Sequence, residues 1–424
     1  MTWTWIPQKK DGFVAQGTLL LRSLGIVTLA ELTFLILVIT KIGGGHMLAF
    51  ALSDSGSGHS SFQTSESDRL YIVDTKGGAI GGGQVLVLDS TDNEVMKRIP
   101  TGLTPELALS PDGNTLFVIS HPVPSQTDTL LLIDALTGNV RDRQAVSDRI
   151  HYTVWPEQPL MVVSPDGQRL YVASDRWTPS DEQKGLVQKD SFFVAIYGVQ
   201  QRKFTSTVAL PGDCFGMHLV PSPTALNVLC SSANAVFSYS VTSSGLGAPR
   251  SVALPPNPKQ VFDVAPAAAA TTRVHPEVAG AVVSPDGRIL TVITSYMRAI
   301  QIDLTTERVE RVEQVSDGRW AMPTALPISP DGAKVYIPTG PVARPNRALG
   351  ADEITVLDRE TLTPAATFHT TGPFWALTLS NDGHSLYAIY PKNQTLYVIN
   401  TDNGQEVKKL TGLGINPSQV AVAP

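Results

Sequence analysis

A four-residue motif that recurs along the chain constrains its fold more than any other feature of the sequence. Ser-Pro-Asp-Gly occurs at residues 110–113, 164–167, 284–287 and 329–332, and Ser-Asn-Asp-Gly occurs at 380–383. Proline presets φ, aspartate closes a local hydrogen bond through its side chain, and glycine supplies a positive φ. Each copy therefore predicts a tight turn between two strands.

Strand-forming segments surround every copy of this turn. The run Leu-Phe-Val-Ile at 116–119 follows the first copy, and comparable runs follow the others. A third strand that ends in an acid or amide comes next, as at Asp134, Asp358 and Asn400, and a variable fourth strand completes the unit. Four antiparallel strands that recur every 45 to 60 residues or so are typical of a β-propeller blade.

The number of blades follows from two irregularities in this repeat. The interval between the second and third motifs is about twice the period, and a degenerate Ser-Pro-Thr turn at 222–224 restores a blade there. The first unit lacks its own first strand, whereas residues 420–424 align with 107–111. The sequence thus predicts an all-β fold, a seven-bladed propeller of four-stranded antiparallel blades over residues 68–424, whose C-terminal strand completes the first blade and removes two open sheet edges.

An apolar run at residues 24–40 is interrupted by Glu31 and is close to the length of one bilayer crossing. Lys9, Lys10 and Arg22 precede it and outnumber Lys41 just after it, which places the N-terminus in the cytoplasm. We predict a cytoplasmic segment at 1–23, a transmembrane signal-anchor helix at 24–42 and a flexible Gly/Ser stalk at 43–67. The expected location is a single-pass membrane protein with the propeller on the extracytoplasmic side.

An alternative interpretation of the N-terminal segment is a cleaved signal peptide. Ala-Phe-Ala at 49–51 matches the small-residue pattern of a cleavage site, although Lys41 and three glycines separate it from the apolar run. Both interpretations export the propeller.

Composition narrows the possible partners and cofactors. The net charge is −6 and the basic residues are scattered, so the chain is not expected to bind nucleic acid. Cys214 and Cys230 cannot form a metal site by themselves, and no cofactor is expected. They fall on two strands that we predict to be adjacent, which is compatible with a cross-strand disulfide and equally with two buried thiols.

The connections opposite the repeated turns are the predicted binding surface. Two of them are long, at 175–190 and 340–352, and the four tryptophans of residues 68–424 all fall in connections that we assign to this face. The predicted ligand-binding residues are Trp155, Trp177, Trp320, Trp375, His121 and Arg298. The four tryptophans form either an aromatic rim for a protein or small ligand, or plugs between neighbouring blades. His218, at the start of an innermost strand, is expected to be packed or to line the channel.

The repeat resembles YVTN-type β-propeller repeats over about residues 68–424. Residues 395–400, 404–406 and 413–414 are similar to the end of the methylamine dehydrogenase heavy chain. That resemblance implies a seven-bladed propeller without its own quinone, which a small disulfide-rich partner subunit would carry. Propellers of this superfamily also include lactonases, haem-binding domains and plain binding modules.

Function is therefore predicted at the level of a class. We expect a membrane-anchored, extracytoplasmic binding module for a protein or small ligand, because no catalytic motif is present. The alternative is an enzyme, either a heavy-chain-like subunit of a quinone-dependent amine dehydrogenase or a propeller lactonase.

Overall fold

The computed structural model describes residues 69–76, 82–90, 94–121, 128–146, 161–175, 192–211, 214, 217–231, 233–243, 245–256, 278–341 and 350–423. These residues form 28 strands in seven four-stranded antiparallel sheets. Each sheet is one blade of a propeller, and we number the blades I to VII from the sheet that contains the first strand. The predicted number and composition of the blades are confirmed.

The strands of blades I to IV are given from the innermost to the outermost. Blade I consists of β28 (Pro417–Ala423), β1 (Arg69–Asp74), β2 (Gln84–Asp89) and β3 (Val95–Pro100). Blade II consists of β4 (Leu103–Leu109), β5 (Thr115–His121), β6 (Thr129–Asp134) and β7 (Val140–Ala145). Blade III consists of β8 (Met161–Val163), β9 (Arg169–Asp175), β10 (Phe192–Gly198) and β11 (Lys203–Ala209). Blade IV consists of β12 (Met217–Pro221), β13 (Ala225–Cys230), β14 (Ala235–Thr242) and β15 (Gly245–Ala253).

Blades V to VII follow the same order. Blade V consists of β16 (Val278–Val283), β17 (Ile289–Thr294), β18 (Arg298–Asp303) and β19 (Arg308–Gln314). Blade VI consists of β20 (Arg319–Ala321), β21 (Lys334–Pro341), β22 (Ala351–Asp358) and β23 (Pro364–Phe374). Blade VII consists of β24 (Ala376–Leu379), β25 (Ser385–Tyr390), β26 (Thr395–Asn400) and β27 (Glu406–Leu410).

Burial along the strands reflects the stacking of one blade on the next. The second and third strands of a blade are buried on both faces, as in β10, in which every residue is buried. The fourth strand alternates between exposed and half-buried residues, as in β11. Neighbouring blades cover both faces of the middle strands, whereas one face of the outer strand is exposed to solvent. Because successive side chains of a strand point to opposite faces, exposure in the outer strand alternates from one residue to the next.

The Ser-Pro-Asp-Gly motifs form the predicted tight turns between the first and second strands. In blade II the Ser110 hydroxyl donates to Asp112 Oδ1 at 2.5 Å, and the same oxygen accepts the N–H of Asn114 at 3.0 Å. Gly113 has a φ of 68°, in the left-handed region that favours glycine. The hydrogen bond from the serine lowers the pKa of Asp112, so the turn aspartate is held ionised.

These turns and the turns between third and fourth strands lie on one side of the ring, which we call the turn face. The other connections join strand ends on the opposite side, which we call the loop face. On the turn face, neighbouring motifs contact each other, since Gly383 lies against Pro330 and Gly332 against Pro285 of the preceding blade. The degenerate turn of blade IV is shorter, and it is closed by a backbone hydrogen bond from the Ser222 N–H to the Ala225 carbonyl oxygen.

The C-terminal strand closes the ring as predicted. β28 pairs antiparallel with β1, with Leu70 opposite Val422, so the first and last strands of the propeller sequence belong to the same blade. The buried Asp74 carboxylate also accepts the N–H groups of Ile415 at 3.1 Å and Asn416 at 2.8 Å, just before β28. The first blade is therefore held by a strand ladder and by a charged hydrogen-bond cluster.

The predicted membrane anchor at 24–42 lies outside the described residues. Among the residues that the structure does describe, no helix combines the length and hydrophobicity needed to span a bilayer.

Candidate functional site

The loop face carries the long connections of the propeller. The strand ends joined by residues 147–160, 176–191, 257–277 and 342–349 all lie on this face, because each segment follows a second or a fourth strand. The two long connections predicted at 175–190 and 340–352 belong to this set. Trp155 and Trp177 lie outside the described residues. His121 ends β5 at the loop face, opposite Leu103, and only its backbone position is described.

Trp320 lies within a strand, in contrast to the expectation that all four tryptophans fall in connections. It is the middle residue of β20 and pairs with Gly340 of β21. Trp375 occupies the single-residue connection between β23 and β24. Both indoles are half-buried and pack against one hydrophobic cluster, which blades VI and VII share. The structure thus brings these two predicted residues to the same part of the ring.

Trp375 is wedged between neighbouring backbone and side-chain groups. Its ring meets that of Tyr390 edge-on, with centroids 6.1 Å apart and an interplanar angle of 75°. Gly350 faces it on another side, and a Cβ built on Gly350 would stand 2.8 Å from Trp375 Cδ1. The Nε1 atom is buried, and none of the described residues forms a hydrogen bond with it. These contacts favour an inter-blade packing role for Trp375.

Arg319, the neighbour of Trp320 in β20, belongs to a charged cluster, which we call the Arg319 patch and which consists of Arg319, Asp352, Glu353 and His369. Arg319 Nη2 bridges Asp352 Oδ1 at 2.6 Å and Glu353 Oε2 at 2.5 Å. His369 Nδ1 lies 3.4 Å from Glu353 Oε1. The Asp352 and His369 side chains are 52% and 72% exposed, so the patch presents polar groups to solvent.

Sequence reasoning missed the Arg319 patch. Arg319 and its carboxylate partners belong to β20 and β22, which are not neighbours in the blade, so their proximity depends on the sheet. The available signal was the position of Arg319 next to Trp320, together with the acidic pair 352–353 at the end of a predicted long connection.

Arg298 lies at the loop-face end of β18, away from the Arg319 patch. Its side chain is nearly buried, and Nη1 donates hydrogen bonds to the carbonyl oxygens of Pro255 at 3.3 Å and Pro256 at 3.0 Å. Burial lowers the pKa of the guanidinium. Arg298 therefore fastens the connection that leads from blade IV into blade V.

The two cysteines are joined by a disulfide on the same face. Cys230 ends β13, whereas Cys214 lies in the connection before β12 and not on the strand itself. Their Cα atoms are 4.8 Å apart and both residues are fully buried. The bond ties the end of a second strand to the connection that leads into the same blade.

A cavity of about 290 Å³ lies in the central channel, along the innermost strands of blades III to VI. His218 of β12 and Thr324 are the only polar side chains among its described lining residues. The Nε2 atom of His218 lies 3.1 Å from the carbonyl oxygen of Val278. Desolvation by burial lowers the pKa of His218 to about 4, so the ring is neutral near pH 7. His218 is packed and lines the channel, as expected from its place at the start of an innermost strand.

The described part of the chain contains no candidate metal site. No group of three or more His, Cys, Asp or Glu residues is placed there to hold an ion.

Comparisons with known proteins support the fold. No protein-family model and no curated protein matches the sequence. A functionally unknown protein from Desulfotomaculum acetoxidans is 16% identical, with 84% of this chain and 99% of that chain covered and a TM-score of 0.61. The dihydro-heme d1 dehydrogenase NirN in complex with DHE is 15% identical, with 85% and 77% covered and a TM-score of 0.51. The β-propeller domain of Cps50 (Swd1) from Myceliophteria thermophila is 16% identical, with 76% and 91% covered and a TM-score of 0.53.

At such low identities these likenesses establish the propeller fold alone. The resemblance of the repeats to YVTN-type propellers and to the methylamine dehydrogenase heavy chain remains a prediction.

Proposed function

We propose that this protein is a binding module held at the extracytoplasmic side of a membrane by residues 24–42, and that its loop face binds a protein partner. The propeller fold, shared with the Cps50 propeller domain, is consistent with a protein-binding module. Fold alone does not assign a function, so the proposal depends on the surface chemistry of the loop face.

The observation that carries the proposal is the Arg319 patch. It contains an arginine and is joined through β20 to Trp320, and arginine and tryptophan are residue types that dominate binding hot spots; it also has exposed polar groups. Trp320 and Arg319 belong to a strand of blade VI and not to a loop, so the scaffold holds them in place. With one arginine and two carboxylates, the patch has an excess negative charge that is complementary to a basic group on a partner.

The two faces differ in their capacity for specific recognition. The turn face repeats one short motif around the ring, and its side-chain hydrogen bonds are satisfied within each turn. The loop face carries connections of different length and sequence. Specific binding requires such variation on a rigid scaffold, which favours the loop face as the recognition surface.

The test is capture of a partner from detergent-solubilised membranes with the full chain, followed by affinity measurements on the purified partner. We expect Trp320→Ala to weaken binding at least tenfold and Asp352→Lys to weaken it several-fold, because the first removes apolar contact area and the second reverses a charge. Asp352 is 52% exposed, so its replacement is compatible with folding.

A matched control is available on the turn face. His384 and Asp402 form an exposed pair 4.0 Å apart there, comparable to the contact of His369 with Glu353. Asp402→Lys should leave the affinity unchanged. Equal loss from Asp352→Lys and Asp402→Lys would refute a loop-face site, and co-purification of a small Cys-rich subunit with a visible quinone or haem band would support the enzyme-subunit alternative.

The anchor is tested separately by alkaline carbonate extraction of membranes. The full chain should remain in the membrane pellet, whereas a chain without residues 24–42 should be released. The intact mass of the purified protein distinguishes an uncleaved anchor from a signal peptide removed near residues 49–51.

A further inference from the structure

The cavity in the central channel has a polarity pattern that suits a small molecule. Its wall includes Val162, Ala281, Val283 and Ile328, and the lining is apolar except for His218 and Thr324. Apart from His218, the second residue of β12, the lining residues lie toward the turn-face ends of β8, β12 and β16 or between β20 and the turn at 329–332. None of them belongs to the Arg319 patch, so the cavity is a separate site.

His218 gives the cavity a single directional acceptor. Because Nε2 is 3.1 Å from the Val278 carbonyl, it must carry the proton and donate, which leaves Nδ1 of the neutral ring as an unprotonated acceptor. No hydrogen bond to Nδ1 is formed by the residues that the structure describes. His218 is only 2% exposed, so Nδ1 has little contact with bulk water.

The volume limits the size of an occupant. A cavity of roughly 150 Å³ lined by aliphatic and aromatic side chains is enough for benzene. The channel cavity, at about 290 Å³, is near the lower limit for ligand pockets and fits a molecule of one or two rings.

The apolar lining adds a charge preference. A charged ligand would have to leave water without an opposite charge among the described lining residues, which is costly. A carboxylate ligand is therefore disfavoured and a neutral ligand is not.

We propose that the channel cavity binds a neutral, largely apolar molecule of one or two rings, which donates one N–H or O–H hydrogen bond to Nδ1 of His218. The apolar walls supply most of the binding free energy, and the histidine selects molecules with a donor over isosteres without one.

Indole is the probe, because it is neutral, fits the volume and has one N–H donor. Indene has the same shape without the donor, and indole-3-carboxylate adds a negative charge. Isothermal titration calorimetry on the full chain in detergent should show indole binding about tenfold more tightly than indene, the worth of about 1.4 kcal/mol. Indole-3-carboxylate should bind more weakly than indole.

Two variants separate the cavity from non-specific binding. Ala281→Phe fills the cavity and should abolish binding of both probes, whereas His218→Gln should reduce the preference for indole over indene. Thr378→Phe on β24 of blade VII, outside the lining residues, is the control and should leave indole binding unchanged. Equal affinities for indole and indene, indole binding that persists in Ala281→Phe, or no binding up to the solubility limit would each overturn the proposal.

Discussion

Gly332 of blade VI lies directly against the ring of Pro285 in the turn of blade V. A Cβ built on Gly332 would stand 2.5 Å from Pro285 Cδ and 2.8 Å from Cγ, closer than any side chain tolerates. Gly383 and Pro330 repeat this relationship between blades VII and VI, at 2.7 Å. In blades VI and VII the glycine of the motif therefore has two functions, since it provides the positive φ of its own turn and makes room for the proline of the preceding turn.

The first prediction separates these two functions. Gly318 has a φ of 80° with no atom within 4 Å of a built Cβ, so Gly318→Ala measures the backbone cost alone, about 1 to 2 kcal/mol. Gly332→Ala should cost about 1 to 3 kcal/mol more through overpacking against Pro285. Urea unfolding of both variants provides the comparison. Equal losses would mean that the inter-blade contact contributes nothing.

The second prediction concerns the closure of blade I. Asp74 is fully buried and accepts hydrogen bonds from Gln84 Nε2 at 2.9 Å and from two backbone N–H groups before β28. Asp74→Ala should lower the free energy of unfolding by about 2 to 4 kcal/mol, because one buried and two partly buried donors lose their acceptor. Compared with the natural chain, hydrogen exchange in Asp74→Ala should increase most in β28 and β1.

Ser120 is the matched control for Asp74. It occupies the corresponding position at the end of β5, and its hydroxyl accepts one N–H, from Gly102 at 3.0 Å. Ser120→Ala should cost about 1 kcal/mol. A loss as large as that of Asp74→Ala would argue against a special role for the charged cluster.

The third prediction concerns the disulfide. Cys230 ends β13 where Asp74 ends β1, and it ties down the connection before β12 by a covalent bond across a sequence separation of 16. The Cys214→Ala/Cys230→Ala variant should lose about 2 to 4 kcal/mol of stability, as expected for a loop of this length. Urea midpoints with and without reductant should differ for the natural chain and agree for the variant. An equal reductant effect in both would point to another cause.

The fourth prediction concerns pH. His218 has a folded pKa of about 4 because of burial, whereas a histidine in an unfolded chain titrates near about 6.5. Between these values the unfolded state binds more protons than the folded state, so stability falls as the pH decreases from about 6.5 to about 4. His218→Gln should flatten this slope in urea midpoints at several pH values.

If His218→Gln retains the full slope, burial of His218 does not control the pH dependence.

The turn chemistry was predictable because it is local. Serine, aspartate and glycine within four residues determine the turn, and alternating or continuous apolar runs determine the strands on either side. The period of these signals was sufficient to count seven blades, including the blade with the degenerate turn at 222–224, and to assign the last strand to the first blade.

The site was less predictable, and particular residues show why. Trp320 belongs to β20 because it pairs with Gly340 of β21, 20 residues further along the chain. A strand of only three residues is too short to be recognised from its own sequence pattern. Arginine is a residue type that often binds ligands, but the guanidinium of Arg298 donates hydrogen bonds to the carbonyl oxygens of Pro255 and Pro256. Cys214 lies before its strand, so the disulfide joins a connection to a strand end.

The sequence by itself determined the class of fold, the number of blades and the closure of the ring, because these depend on short-range turn geometry repeated at a fixed period. Only the tertiary structure decided which polar groups meet. Asp74 and Asn416 form a hydrogen bond although they lie near opposite ends of the propeller sequence. Arg319 pairs with carboxylates on a strand that is not its neighbour, and His218 contacts the Val278 carbonyl of the next blade. Such contacts depend on how whole blades stack, since burial and hydrogen-bond geometry are set by packing between segments that are distant in the chain.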